Sequence, residues 1–77
     1  MTSSSAAIDS AIHLIRTYTA LHPRSADTLE GVAQWWLDRQ IPLDVTAAAL
    51  AQLRAAGEME HVDVGTRQLW RRHRSGD

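Results

Sequence analysis

The densest group of ionisable side chains lies near the C-terminus, where Arg67, Arg71, Arg72, His73 and Arg74 follow one another closely. Guanidinium groups bind phosphate oxygens through paired N–H donors, so such a run is typical of proteins that contact nucleic-acid backbones. A terminal run of charge is also the usual form of a solvated, solubilising tail. Both interpretations stay open, and the net charge of −1 favours the tail because DNA-binding domains are usually strongly basic.

The charge is unevenly distributed along the chain. Residues 1–66 hold four Arg against eight Asp and Glu, a charge of −4, whereas residues 67–77 hold four Arg against one Asp, a charge of +3. A contact with phosphate would therefore involve the C-terminal segment rather than the body of the chain.

Four histidines, His13, His22, His61 and His73, are the other side chains that could do chemistry. None is four residues from another, which is the spacing that places two ligands on one helix face, so we expect no metal site. The chain has no cysteine, which excludes thiolate ligands, a thiol nucleophile and disulfides. The acids are scattered and form no set of nucleophile, base and orienting group. We therefore predict that the protein is not an enzyme and binds no cofactor.

A chain of 77 residues fits one small domain, which buries only about 60% of its unfolded surface and must use nearly all of its large apolar side chains. We predict a disordered segment at residues 1–5, a domain over 6–74 and a disordered end at 75–77. The sequence shows neither a secretory signal nor an apolar run long enough for a bilayer. The expectation is a cytoplasmic protein without a membrane partner.

Two amphipathic helices precede the middle of the chain. Apolar residues recur every three or four positions over Ala6–Leu21, and His22-Pro23 ends that helix. Asp27-Thr-Leu-Glu30 has the form of a capping box, with Ser25 as an alternative cap, and predicts a second helix running to about Leu37.

A third helix and a hairpin follow. The turn at residues 38–42 ends with a proline, which suits the first turn of a helix over Leu43–Ala56. Two short β-prone runs, Met59–Val64 and Arg67–Arg72, are joined by Gly65-Thr66, which predicts a β-hairpin.

The pattern Leu50-x-x-Leu53-x-x-x-Gly57-x-Met59, preceded by a helix and a turn and followed by a hairpin, resembles the winged-helix superfamily over residues 8–74. The resemblance implies an α+β fold of three helices and a two-stranded C-terminal wing. Members of that superfamily serve as DNA readers, subunit-contact modules and scaffolds. The chain is also similar in size and element order to small winged-helix proteins of bacterial ferrous-iron transport, whose wing carries a cysteine cluster. This chain lacks those cysteines, so no iron–sulfur chemistry is implied.

Periodicity predicts which apolar side chains form the core. The predicted core consists of Ile12, Ile15, Leu29, Val32, Trp36, Leu50, Leu53 and Met59. Trp35 lies about 100° around the helix from Trp36 and cannot share its environment fully, so Trp36 is assigned to the core and the exposure of Trp35 stays open. Leu69 and Trp70 are adjacent in a strand and must face opposite sides, so either the strand is short and twisted or its second face has a partner.

If Thr46, Ala49, Leu50 and Leu53 face the core, the third helix is a poor reader of DNA. Its outward residues are then Asp44, Ala47, Ala48, Ala51, Gln52 and Ala55. Of these only Gln52 can pair with a base edge, and Asp44 repels phosphate. The alanines either reflect helix propensity alone or let another helix approach closely.

Two functions from different classes follow from these surfaces. The first is a protein-interaction module, an adaptor or regulatory subunit, that is a monomer or a weak dimer. Its predicted contact residues are Trp35, Ala47, Ala48, Ala51 and Gln52. The alternative is a DNA-binding regulator, whose contact residues are Gln52, Arg67, Arg71, Arg72 and Arg74.

Overall fold

The computed structural model describes residues 2–73 of the chain, with side chains described from residue 6 onward. The elements in chain order are α1 (Thr2–Leu21), β1 (Ala26–Asp27), α2 (Leu29–Gly31) with a π-helical turn (Val32–Trp36), α3 (Leu43–Ala55), β2 (Met59–Val64) and β3 (Arg67–Arg72). The predicted α+β class, three helices followed by a C-terminal hairpin, is confirmed. Residues 75–77, predicted to be disordered, and Arg74, a predicted phosphate contact, lie outside the described residues.

Helix α1 begins at Thr2, four residues before the predicted start, and ends at Leu21 before the predicted proline turn. The first residues of this helix are mostly small Ser and Ala, and no helix-breaking proline lies among them, so the helix continues towards the N-terminus. Ala11, Ile15 and Thr19 are spaced by four and form its buried side. The buried Thr19 hydroxyl donates to the Ile15 carbonyl at 3.0 Å, which satisfies the one polar atom on this side.

The second helix is capped by Thr28 rather than by Asp27 or Ser25, so that sequence prediction is wrong. The Thr28 hydroxyl accepts the Gly31 N–H at 3.1 Å, while the Asp27 carboxylate accepts the Thr28 N–H at 2.9 Å. Asp27 cannot serve as the cap because its backbone belongs to β1 and pairs with β3.

The second helix widens into a π-helical turn. The Leu37 N–H bonds to the Val32 carbonyl, five residues back, at 3.1 Å. Asp38 and Arg39 then adopt positive φ angles of 52° and 60°, an uncommon conformation for residues with side chains. This tight reversal lets α3 start at Leu43, directly after Pro42.

The sheet has three antiparallel strands in the order β1-β3-β2, and the sequence did not predict β1. Ala26 lies opposite Arg71 and Asp27 opposite Trp70. A two-residue strand is too short to show any periodicity, so only the tertiary pairing reveals it. Strands β2 and β3 have the predicted bounds, and Gly65 in the turn between them has a φ of 63°, as a two-residue hairpin turn requires.

Helix α3 lies at the centre of the core, between α1 and the base of the hairpin. Thr46, Ala49, Leu50 and Leu53 are buried on it, as predicted. Of the eight predicted core residues, Ile12 and Leu29 are only half-buried and pack against the core, while the other six are buried. The core also includes Ala11, Ala33, Leu37 and Trp70.

Leu53 is 2% exposed, so replacing it with Ala leaves a cavity among α1, α3 and β2. We expect Leu53→Ala to lower the free energy of unfolding by about 2–5 kcal/mol, measured by urea denaturation. Leu43→Ala is the matched control, because Leu43 lies on the same helix but is 47% exposed. It should cost less than about 1 kcal/mol, and equal effects of the two substitutions would contradict the assignment of the core.

An ion pair joins α1 to the residue before β2. The Arg16 Nε and a terminal guanidinium nitrogen donate to the two Glu58 carboxylate oxygens at 2.8 and 2.6 Å. The hydrogen bonds from Arg16 lower the pKa of the Glu58 carboxyl from its usual 4.5; burial opposes this shift, and the attraction between the charges adds to it. Both side chains are exposed, so solvent weakens their contribution to stability.

Because the pKa of Glu58 is lowered by folding, its contribution to stability is present above the unfolded-state pKa and is lost as the pH falls through the folded-state value. The melting temperature of Glu58→Gln should lie slightly below that of the wild type near neutral pH, and the difference should disappear as the pH falls below 4.5 and through the lowered folded-state pKa. Adding Arg16→Gln to Glu58→Gln should lower the melting temperature little further, since the pair is already broken. A difference that is constant with pH would exclude the ion pair as its cause.

Candidate interaction surface

Trp35 is the largest exposed apolar side chain in the described part of the chain. It is 66% exposed, whereas its neighbour Trp36 is 7% exposed and stacks on the Tyr18 ring with centroids 4.7 Å apart. The two tryptophans therefore face different environments, as their helical positions predicted. Leaving an indole in water forgoes the gain from burying it, and exposed apolar surface is typical of interaction sites where it forms a contiguous patch.

The outward side of α3 presents small residues. Helical geometry places Asp44, Ala48, Ala51 and Ala55 opposite the buried residues. Ala51 and Gln52 are exposed, while Ala47 and Ala48 are only half-buried. The structure thus leaves part of the predicted alanine face accessible, with its most open portion in the second half of the helix.

A shallow apolar depression lies where the second helix meets the start of α3. Its walls are Glu30, Ala33, Gln34, Arg39, Ile41 and Leu43. Leu43 is 47% exposed, and Gln34 directly precedes Trp35 in the chain. Sequence reasoning treated Leu43 only as the start of a helix and did not assign Ile41 to any site. Two apolar residues that flank Pro42 outside the periodic core pattern were the signal that could have indicated this depression.

The arginines of the hairpin do not form one basic surface. Neighbouring residues in a strand point to opposite faces, so Arg72 lies on the same face as Trp70 while Arg67 and Arg71 lie on the other. The Arg71 Nε donates to the Glu60 carboxylate at 2.5 Å, and the His73 imidazole lies 3.8 Å from the same carboxylate. This ion pair neutralises one of the predicted phosphate contacts. Arg67 and Arg72 are exposed.

The hairpin buries one face only. Trp70 enters the core at 9% exposure and makes an edge contact with the His61 ring, with centroids 5.0 Å apart. Leu69 lies opposite Val62 on the outer face, where both are half-buried, and Val64 next to them is 56% exposed. Of the adjacent Leu69 and Trp70, Trp70 is therefore the one that faces the core, and Leu69 faces outward.

A second depression, between α1 and the base of the hairpin, has a mainly polar lining. Arg16, Glu58, Arg72 and His73 line its rim, above Thr19 and the apolar core. Arg16 and Glu58 bind each other, and the Thr19 hydroxyl donates to backbone carbonyls. These three side chains therefore already have hydrogen-bond partners within the chain. Within residues 2–73, no three His, Asp or Glu side chains are grouped closely enough to hold a metal ion.

None of the helices within residues 2–73 is long and apolar enough to cross a membrane. Comparison of the chain with models of protein families, with curated proteins and with solved structures found no match.

Proposed function

We propose that the protein is a small, non-enzymatic winged-helix module that binds another protein through Trp35 and the outward side of α3. The observation that carries the proposal is the 66% exposure of Trp35 in a chain whose other two tryptophans are buried. The predicted contact residues on α3 are Ala47, Ala48, Ala51 and Gln52.

The order of elements supports the winged-helix part of the proposal. A helix, a short strand, two helices joined by a tight turn and a two-stranded hairpin follow one another, and β1 adds a third strand beside β3. This order extends the resemblance seen in the Leu50, Leu53 and Gly57 pattern, because Gly57 ends α3 with a φ of 78°.

The chemistry of the surface fits a protein better than DNA. Tryptophan is enriched among the residues that contribute most to protein interfaces, where it fills a pocket on the partner. Exposed alanines such as Ala51 allow close approach of a partner backbone but offer no donor to a phosphate. Asp44 and Asp38 lie near this surface in the sequence and would repel a phosphate backbone.

The exposure of Arg67 and Arg72 favours a second candidate, a DNA-binding protein that uses the hairpin. The two side chains lie on opposite faces of β3, and Arg71 between them is paired with Glu60. Because these arginines do not form one basic surface, we favour protein binding over DNA binding.

Co-purification of tagged protein from cells of its own organism tests the first candidate. Trp35→Ala and Ala51→Glu should each abolish recovery of the partner, since loss of an interface tryptophan typically weakens binding by about 2 kcal/mol or more, roughly 30-fold. Leu21→Ala and Ala20→Glu are matched controls, because they make the same kinds of change at exposed positions of α1 and should retain the partner. Circular dichroism should show all four variants folded.

Titration with duplex DNA at two salt concentrations decides between the candidates, because phosphate contacts weaken steeply with salt and apolar contacts do not. We expect no salt-sensitive binding in the micromolar range. Binding that is lost with Arg67→Ala and Arg72→Ala but is unaffected by Ala51→Glu would replace the protein-interaction proposal with the DNA-binding one.

A further inference from the structure

Strand β2 forms an edge of the sheet along its full length of six residues. The strand order β1-β3-β2 leaves β3 paired on both sides and β2 paired only on one. In residues 2–73 no further strand pairs with the outer edge of β2. An edge of this length is a template for pairing with another strand.

The hydrogen bonding of the hairpin shows which residues of β2 face this free edge. The His73 N–H donates to the Glu58 carbonyl at 3.0 Å, in the same register that places Met59 opposite Arg72. Since bonding direction alternates along an antiparallel strand, Glu60, Val62 and Val64 bond to β3. The N–H and C=O groups of Met59, His61 and Asp63 therefore point outward.

Only two antiparallel registers of β2 against a second β2 match these outward groups and pair five residues of each strand. One places His61 opposite His61 and Met59 opposite Asp63, which sets a carboxylate against an apolar side chain. The other places His61 of each copy opposite Asp63 of the other. Both registers set Glu60 opposite a valine, Val62 in the first and Val64 in the second, so the partner of Asp63 is what distinguishes them. Shorter registers oppose Glu60 to Glu60 or Asp63 to Asp63, and like charges directly opposite are destabilising.

We propose that two copies of this chain bind through β2, with His61 of each opposite Asp63 of the other and with the two Val62 residues meeting at the two-fold axis. The surface is self-complementary, as a two-fold interface requires. It joins the two sheets into one of six strands. This interface does not use Trp35 or α3 and is independent of the proposed protein partner.

The side chains on each face of the joined sheet agree with this register. His61 and Asp63 lie on the same face as Trp70, whose ring contacts the His61 ring and holds it in place. An imidazole N–H can donate to a carboxylate in either of its protonation states. Val62 lies on the outer face beside Leu69, so the central contact buries two half-exposed valines. Charged residues usually protect a strand edge from pairing, but here they complement each other.

Cysteine cross-linking tests the register, because the wild-type chain has no cysteine. In the proposed dimer the two Val62 Cβ atoms are about 5 Å apart, close to disulfide distance, whereas the two Val64 residues are separated by four positions, about 13 Å. Under mild oxidation Val62→Cys should form a covalent dimer, and Val64→Cys, on the same strand and face, should not. Equal cross-linking of the two variants, or none in Val62→Cys, would overturn the register.

Analytical ultracentrifugation of the full chain tests the dimer itself. The wild type should shift with concentration from 8.5 kDa towards twice that mass. Asp63→Arg should remain monomeric, whereas Asp9→Arg, the same charge change at an exposed position of α1, should behave as wild type. The double exchange His61→Asp with Asp63→His restores the opposed pair and should restore the dimer, with circular dichroism as the check on folding. A wild type that stays monomeric at all concentrations, or an Asp63→Arg that dimerises normally, would refute the proposal.

Discussion

The fold depends on one apolar stripe of α3, the side formed by Thr46, Ala49, Leu50 and Leu53, which packs against α1, the second helix and the base of the hairpin. A domain of this size has only one core, so the other helices and the base of the hairpin share it with this stripe. Thr46 is tolerated in it because its hydroxyl donates to the Pro42 carbonyl at 2.9 Å, which closes the first turn of the helix.

Because α3 gives its large side chains to the core, its outward side is left with alanines. The same constraint separates the two adjacent tryptophans: Trp36 reaches the core and stacks on Tyr18, so Trp35 points into solvent. The π-helical turn that contains both residues is followed by two positive φ angles, at Asp38 and Arg39. The exposed surface assigned to protein binding is in this sense a consequence of how the core is filled.

The hairpin follows the same rule of one buried face. Met59 on β2 and Trp70 on β3 face the core. Their neighbours in each strand face outward, and there Glu60 pairs with Arg71 across the strands. The cross-strand pair removes charge from the outer face, and the missing neighbour of β2 leaves a free edge. Charge on this hairpin therefore acts locally, between opposed residues, rather than as one basic surface.

The sequence by itself determined the class of the fold, the bounds of β2 and β3, the buried side of α3 and the separate environments of Trp35 and Trp36. These features follow from periodicity and from turn chemistry at Gly65 and Pro42, which act within a few residues of the chain. Only the tertiary structure decided that Thr28 caps the second helix, that residues 26–27 form a strand and that Arg71 is paired with Glu60. Each depends on pairing between strands. The backbone of Asp27 pairs with β3, so Asp27 cannot act as the cap, and the register of the hairpin places Glu60 opposite Arg71. Leu69 and Trp70 show the same division, because alternation dictates that they face opposite sides, while only packing against the core decides which of them is buried.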